Sequence, residues 1–460
     1  VNIIESTLLR FFKNSPEKTI IIAYSGGVDS QVLLIALAKL KNQQQLLNNI
    51  VVCHVNHGLS PNADAWQAFA QQQCDNVSLP LISHKLSLTK KPQQSLEAIA
   101  REARYQVLIN TSETPAFIVT GHHLNDQAET FLLALKRGSG LKGLSAMSTD
   151  STLAQHRLVR PLLSVSRSDI IAYAEQQALS WIEDESNNDQ HYDRNFLRHQ
   201  ILPTLDERWP SINKTISRSA QHCFEAQQLL DELAEQDLAD CQLSANTLAV
   251  EKLTCLSQPR LKNLLRYFLA SHNCLMPTGQ QLAQICQQLA AETDKSPVIQ
   301  LASCCIRRFK NALYLTSIYQ DISQWQQCID VEDLIADKPV TIALPDQLGV
   351  LNLLVPTASN NADIEHTWQK RLKKPELGQK VTIQFVHDNP KCLPEYRQHS
   401  RSLKKVLQEL AIPPWQRKRL PFIFYDDELV AVVGHFVCQD YLSAGEESTY
   451  FITWKSEPSF

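Results

Sequence analysis

Short continuous apolar runs alternate with longer stretches of helical apolar spacing through the N-terminal part of the chain. Runs such as Thr19-Ile20-Ile21-Ile22-Ala23-Tyr24 carry no polar alternation, as expected of strands covered on both faces. The pattern predicts strands at 19–24, 50–55, 81–86 and 116–120, and helices at 28–40, 64–75, 95–111 and 125–137. Strands alternating with helices predict a doubly wound α/β fold, a parallel sheet with helices on both faces. Such sheets bind ligands beyond the carboxyl ends of their strands. The opening VNIIESTLLRFF reads as an amphipathic helix without the basic region or cleavage site of a signal peptide. The chain starts at Val1 rather than Met, so the numbering is expected to omit an initiator segment. After the Trp209-Pro210 break, helical spacing recurs at 210–240, 258–270 and 278–292, followed by one or two strands within 298–316. This predicts a mostly helical middle domain. A strand is expected around 348–355. From about 378, strands at 381–386, 420–425, 428–433 and 450–454 with a helix at 402–410 predict a small α+β unit. The expected divisions are 1–212, 213–320, a linker and start of the last unit at 321–377, and 378–460.

The segment Ser25-Gly26-Gly27-Val28-Asp29-Ser30 lies between the first strand and its helix. Adjacent glycines allow a tight turn and close approach of a ligand to the backbone. The helix start adds unpaired N–H groups and the positive end of a dipole, making an anion cradle suited to phosphate. It lacks the Gly-Lys-Ser/Thr ending of a Walker A loop and is not a GxGxxG dinucleotide loop. It resembles the pyrophosphatase loop of enzymes that cleave ATP between the α and β phosphates. The resemblance implies that the loop amides and serines hold pyrophosphate, that Asp29 helps place Mg²⁺, and that a substrate oxygen is adenylated. Without it, the segment is a glycine turn with Asp29 placed for the helix dipole.

Further polar motifs fall at the same sheet edge. His54 and His57 end the second strand. Without a carboxylate or cysteine pattern they suit the wall of a nucleotide pocket better than a metal site. Arg101 and Arg104 lie one helical turn apart, able to meet phosphates or to pair on the surface, with Ser95 as a plausible cap. Gly121-His122-His123-Leu124-Asn125-Asp126-Gln127-Ala128-Glu129 opens the helix after the fourth strand. Asp126 and Glu129 share one face there, favoured by the dipole and able to hold Mg²⁺ or a cationic amine. The stretch from Arg137 to Leu144, with three glycines, reads as a flexible basic loop: an inert connection, a lid or an RNA contact. Residues 184–198, ending in Arg194 and Arg198, read either as a solvated loop or as a pocket wall.

Composition narrows the function classes. A chain of 460 residues, 43% hydrophobic, has room for two or three cores. Net charge is −4, so nucleic-acid binding must come from a local patch. Residues 391–420 supply one: Lys391, Arg397, Arg401, Lys404, Lys405, Arg417, Lys418 and Arg419 stand against Glu395 and Glu409. With Trp415 beside them they suit RNA phosphates and base stacking, or else form a solvated helix face. The 12 cysteines include no CxxC pair, which argues against a zinc ribbon or a cysteine-ligated cluster and suits a reducing cytosol. No uncharged run reaches the roughly 20 residues that span a bilayer.

Taken in order and spacing, SGGVDS, HVNHGL, REARY, GHHLNDQAET, RGSGLKGL, RPLL and DESNNDQHYDRNFLR resemble the tRNA(Ile)-lysidine synthetase family over nearly all of 19–200. The resemblance recurs at 399–405 and 413–421; the middle is similar only in length and helical character. It implies a PP-loop ATPase domain of the adenine nucleotide α-hydrolase type and two tRNA-binding domains. The implied reaction adenylates C2 of the wobble cytidine in a CAU-anticodon tRNA(Ile), and the ε-amine of free L-lysine then displaces AMP. ATP and Mg²⁺ are the implied cofactors, and a homodimer is left open. By this resemblance Ser25, Gly26, Gly27, Val28, Asp29, Ser30, His54, His57, Gly121 and His122 bind the nucleotide. Asp29 and Asp126 hold the metal, and Asp29, Asp126, Glu129 and Arg194 are catalytic. Asn125, Arg101, Arg104, Arg137, Arg198, Arg401, Lys404, Lys405, Trp415, Arg417 and Arg419 meet the lysine or the tRNA. Asn125 stands where the family carries an acid, leaving Asp126 dominant. The alternatives are a tRNA thiolase, for which Cys53 beside the His54 loop is the nearest thiol, a small-molecule amidating synthetase, and a non-catalytic ATP- or RNA-binding module.

Overall fold

The computed structural model describes residues 2–58, 60–86, 96–289, 297–336, 338–354, 367–443 and 449–455. The expected Ser95 cap, Leu59, and the ends of the 278–292 helix and the 348–355 strand lie outside the described residues. The chain divides into two compact units, Val1–Leu230 and Asp231–Phe460.

The first unit opens with α1 (Ile3–Phe12), β1 (Ile20–Tyr24), α2 (Val28–Asn42), β2 (Ile50–Asn56), α3 (Ala63–Asn76), β3 (Leu81–Lys85) and α4 (Leu96–Asn110). It continues through β4 (Phe117–Val119), α5 (Leu124–Lys136), α6 (Leu141–Leu144), β5 (Asp150–Leu153), β6 (His156–Val159) and α7 (Arg167–Gln176). Then come α8 (Asp193–Phe196), a π-helical turn at Leu197–Ile201, α9 (Leu202–Arg208) and α10 (Ile212–Cys241), whose residues from Asp231 on belong to the second unit. The strands order as β3-β2-β1-β4-β6-β5. β1 pairs in parallel with β2 on one side and β4 on the other, and only β5 runs antiparallel. Ile20 and Ile22 enter the core under α1, α2 and α7, while Ile21 enters the opposite core with Cys53, Leu108 and Leu158. That two-sided burial is why β1 reads as an unbroken apolar run. The winding reverses between β1 and β4, so their carboxyl ends, Tyr24 and Val119, flank the switch point where such sheets hold ligands.

Two features depart from the expected pattern. The β5–β6 hairpin, turning at Ala154 (φ 51°), and α7 were not expected; β6 pairs at the far side of β4, while α7 packs through Ile170, Tyr173 and Ala174 into the core with α1 and α2. The glycine-rich stretch after Arg137 is a turn at Gly138 (φ 66°) running directly into α6, rather than an open loop. Gln127 anchors the chain beyond α6: its amide donates to the Met147 carbonyl (2.8 Å) and accepts the Met147 N–H (2.8 Å).

The second unit starts with β7 (Gln242–Ser244), β8 (Thr247–Ala249), α11 (Val250–Cys255), α12 (Gln258–Ser271) and α13 (Gly279–Leu289). It adds β9 (Val298–Gln300), β10 (Cys305–Phe309) and β11 (Ala312–Thr316). The helices pack through Leu264, Phe268 and Ile285 on an antiparallel sheet ordered β7-β8-β11-β10-β9, larger than the one or two strands expected. Next come β12 (Gln326–Ile329), α14 (Val331–Ile335), β13 (Val340–Ala343), β14 (Val350–Leu354), β15 (Thr367–Lys373), β16 (Val381–Gln384), β17 (Lys391–Cys392) and β18 (Arg401–Ser402). The chain ends through α15 (Leu403–Glu409), α16 (Pro414–Arg417), β19 (Phe422–Tyr425), β20 (Glu428–Val432), β21 (Phe436–Val437) and β22 (Thr449–Lys455). β22 lies between β14 and β15, and β12 pairs with β16, so strands within 321–377 complete sheets with strands after 378. Among the described residues no helix is long and apolar enough to cross a membrane.

Candidate active site

The loop after β1 is already folded around an anion-like centre. The Ser25 and Gly26 backbone N–H groups both donate to Ser30 Oγ (3.3 and 3.1 Å), and that hydroxyl donates to the Gly27 carbonyl (2.9 Å). Ser25 Oγ lies 3.2 Å from the same oxygen. Gly26 sits at φ 88°, and a Cβ there would meet Ile182 Cδ1 at 2.5 Å. Ile182 also donates its N–H to the Gly26 carbonyl (2.9 Å), so the strip after α7 closes over the loop. Behind it, Tyr24 donates to Gln31 (2.5 Å), and His54 Nδ1 bonds the Tyr24 carbonyl (3.0 Å). His54 is therefore a buried tether of strand ends. Burial, then Arg104 and His54, holds His57 below the ordinary imidazole value.

Gly121 joins the two motifs. A Cβ at this position would lie 2.9 Å from the Asp29 backbone carbon and oxygen, so only glycine lets the end of β4 abut the loop. His123, fully buried, caps α5: its Nδ1 accepts the Asn125 N–H (3.2 Å), and Asp126 Oδ2 accepts the His123 N–H (2.9 Å). His123 Nε2 then lies 3.5 Å from both Asp29 Oδ1 and Asp126 Oδ2. Asp29 Oδ1 is enclosed with no hydrogen-bond partner. Burial raises the Asp29 carboxyl above its ordinary value, only partly countered by His123 and Arg167. An enclosed carboxylate oxygen of this kind fits a cation that bridges to phosphate. Among the described residues no group of three or more His, Cys, Asp or Glu could hold a metal alone. Mg²⁺ takes one or two carboxylates and completes its shell with phosphate and water. Asn125 is otherwise engaged: its Oδ1 accepts the Arg167 N–H at the start of α7 (3.1 Å).

Asp126 and Glu129 lie inside α5, almost wholly buried, and two arginines cover them. Arg194 donates from Nε to Glu129 (2.6 Å) and from Nη2 to Asp126 (3.0 Å). Arg198 donates from Nε to Glu129 (2.7 Å) and from Nη2 to Glu129 (3.0 Å) and Asp126 (3.3 Å). Burial opposes the charge on both sides. The Asp126 carboxyl nevertheless titrates below its usual value because His123, His122 and Arg194 outweigh burial, and Glu129, Asp126 and Asp29 likewise hold Arg198 charged. Beside this network, Thr120 Oγ1 bonds His122 Nδ1 (2.7 Å). Burial, with Arg160, Arg194 and Arg104 nearby, pushes that imidazole down to about 4 against the pull of Asp126. Arg101 and Arg104 lie 5.2 and 5.8 Å from the centre of the Tyr105 ring, and Arg160, buried, donates to the Ser148 carbonyl (2.7 Å). The site is thus a cationic crescent around an acid pair. Arg137 caps α5 at its other end and is exposed.

The second unit carries the basic segment, with one correction. Trp415 is buried, its ring set edge-on to Phe309 (6.1 Å) and Tyr314 (5.3 Å) under Arg307 (5.5 Å), so it offers no face to a base. An apolar clamp between β10, β11 and α16 explains it. Arg417 donates to the Ile412 carbonyl, Arg419 pairs with Asp346 and covers Tyr319, and Arg401 pairs with Glu409. Lys404 and Lys405 stand exposed on α15. Cys53 is buried with its thiol pushed up by burial, unsuited to act as a sulfur nucleophile.

Sequence reasoning left out His123, Arg167 and Ile182 as site residues. His123 was visible inside its motif, but Arg167 and Ile182 act through backbone proximity that no local pattern announces.

A PP-loop domain model matches residues 1–205, a TilS substrate binding domain model residues 248–314, and a TilS substrate C-terminal domain model residues 381–454. The tRNA(Ile)-lysidine synthase of Haemophilus influenzae (strain PittEE) is 41% identical, covering 90% of this chain and 94% of that protein. That of Pectobacterium atrosepticum is 40% identical, covering 95% and 94%. Among solved structures, a U34-tRNA thiolase, NcsA from Methanococcus maripaludis, aligns at TM-score 0.41 and 15% identity over 48% of this chain and 78% of that one, too slight a likeness to speak to function.

Proposed function

The chain belongs to the tRNA(Ile)-lysidine synthase family, and from that premise we propose how its own residues carry the reaction. It is an ATP-using enzyme that forms lysidine on tRNA(Ile). The finer reading is that the target is the wobble cytidine of a CAU anticodon, that free L-lysine is the amine, and that the enzyme works in the cytoplasm.

The Ser25–Ser30 loop takes the β and γ phosphates. Its Ser25 and Gly26 amides already converge on one point, taken by the Ser30 hydroxyl, which a phosphate oxygen would replace. Asp29, with Asp126 beside it, would hold Mg²⁺. The metal, when bound, supplies charge neutralisation on the departing pyrophosphate. Arg104 and Arg101 face the nucleotide and the tRNA backbone. The cytidine oxygen attacks the α-phosphate and expels pyrophosphate; Asp126 and Glu129 steer the ammonium groups of lysine, and its ε-amine, once the proton has passed to one of these carboxylates, displaces AMP. The basic face of α15 grips tRNA phosphate.

One observation carries this reading. The phosphate cradle and the acid pair meet at the β1/β4 switch point through Gly121 and His123, where an activated base and an amine would have to meet. The test is label transfer from radioactive lysine, with Mg-ATP, into CAU-anticodon tRNA(Ile) and tRNA(Met). Label in the isoleucine tRNA alone is the expected outcome. ATP cleaved to AMP without label in either tRNA would replace lysine by another nucleophile.

A further inference from the structure

Asp126 and Glu129 are not open to an incoming amine. Their side chains are 9% and 1% exposed, whereas the guanidinium-bearing side chains over them are 38% exposed at Arg194 and 24% at Arg198. The arginines therefore stand between the acids and solvent, and any other cation must displace one of them. We propose that Arg194 and Arg198 are stand-in cations that occupy the amine subsite until ATP phosphates draw them away, so that the nucleotide opens the site for lysine. The inference rests on the reading that Asp126 and Glu129 receive the amine.

Three observations support an exchangeable rather than a permanent pairing. Both carboxylates keep a cationic partner before and after: the guanidiniums hold them now, and the ammonium groups of lysine would do so later. A buried carboxylate left unpaired is strongly unfavourable, so the acids need an occupant at all times. The arginines also have somewhere to go. Arg198 Nη2 reaches Asp126 (3.3 Å), and His123 Nε2 lies 3.5 Å from both Asp126 and Asp29, so the phosphate loop begins one side chain beyond the acid that the arginine holds. Finally, Arg194 lies in the four-residue α8 and Arg198 in the π-turn after it, a wide helical geometry often found at functional sites. This segment is pinned by Lys136–Asp193 (2.6 Å) and by His199 Nε2 to the Asn187 carbonyl (2.9 Å), leaving the arginine side chains to move without unseating it.

Competition of this kind lowers the apparent lysine affinity by the fraction of time the acids are free. Binding linkage then makes nucleotide and lysine strengthen each other by the same factor. The experiment is calorimetric titration of L-lysine into the full-length enzyme, with and without Mg²⁺ and α,β-methylene ATP, for wild type, Arg198→Met and Arg198→Lys. Wild type is expected to bind lysine at least about fivefold tighter with the nucleotide analogue present. Arg198→Met should bind lysine several-fold tighter without nucleotide and lose much of the nucleotide effect, while Arg198→Lys, which keeps a cation in place, stays near wild type. Thermal melts check that Arg198→Met is folded; if it is not, the nucleotide effect in wild type and in Arg198→Lys still decides. Lysine affinity in wild type that ignores the nucleotide overturns the inference, as does an equal or weaker affinity in folded Arg198→Met. Lysine that neither binds nor is incorporated under any condition overturns instead the reading on which the inference rests.

Discussion

Gly121 is held by close packing rather than by backbone angle. Alanine there would press a methyl group against the Asp29 backbone carbon and oxygen at 2.9 Å, and backbone cannot swing aside as a side-chain tip can. The phosphate loop would have to shift by a fraction of an ångström. Gly121→Ala is expected to lower the rate of AMP release about a hundredfold, the usual consequence of misplaced reacting groups. Gly140→Ala, with nothing within 4 Å, should leave that rate unchanged. Asp29 poses the opposite balance of stability and activity. A carboxyl raised by burial favours the fold only while protonated, and that contribution is lost as pH rises through the raised value. Above that value the ionised Asp29 therefore opposes folding of the ligand-free protein. Asp29→Asn should raise its melting temperature, by about 2 °C, while abolishing turnover, and the gain should vanish at acid pH. An unchanged or lower melting temperature at pH 7 would count against a net destabilising charge there.

Elements differ in how they reach the site, and that difference governs what their residues do. α16 carries Trp415 into a clamp of Phe309, Tyr314 and Arg307, where the ring packs rather than reads RNA. Trp415→Ala is expected to lower the unfolding free energy by about 3–5 kcal/mol in urea titrations, as for other buried aromatics. Its tRNA affinity, measured where the variant is still folded, should be unchanged. A stacking role would show the reverse, weakening binding by about 1–3 kcal/mol with stability intact. Local pattern was misleading here because a tryptophan beside Arg417 and Arg419 looks the same in a clamp and on a binding face. It was informative where one element decides its own environment. β1 could be placed from its apolar run because both faces of a central parallel strand are covered, and SGGVDS from its position between strand and helix. β5, β6 and α7 were not legible: the strands are short and owe their place to pairing beside β4, and α7, of mixed polarity, owes its own to packing with α1 and α2. The acid pair of α5 was readable as a site, and Arg194 and Arg198 as site residues, but their pairing with one another was not. Nothing between Glu129 and Arg194 in the chain signals that the π-turn returns to α5.

Across the whole molecule, charge has to reconcile a net −4 chain with a polyanionic substrate. The basic segment near the C-terminus is less available than its composition suggests. Arg397 and Arg401 are held by Glu409, Arg419 by Asp346, and Arg417 by the Ile412 carbonyl. Lys391, Lys404, Lys405 and Lys418 stand exposed. Arginines here shape the unit and lysines face solvent, so the electrostatic part of tRNA binding should fall on the lysines. Removing one cation that neutralises a phosphate reduces the slope of log K against log salt by about 0.7–0.9. The Lys404→Ala, Lys405→Ala double variant is therefore expected to flatten that slope by about 1–2 and weaken binding at low salt. KM values for ATP and lysine should stay at wild-type levels, because the groups proposed for both lie in the first unit. A variant that kept the wild-type salt slope would move the phosphate-binding surface off α15. One that raised the KM for lysine would tie this surface to the amine site instead of to the tRNA backbone.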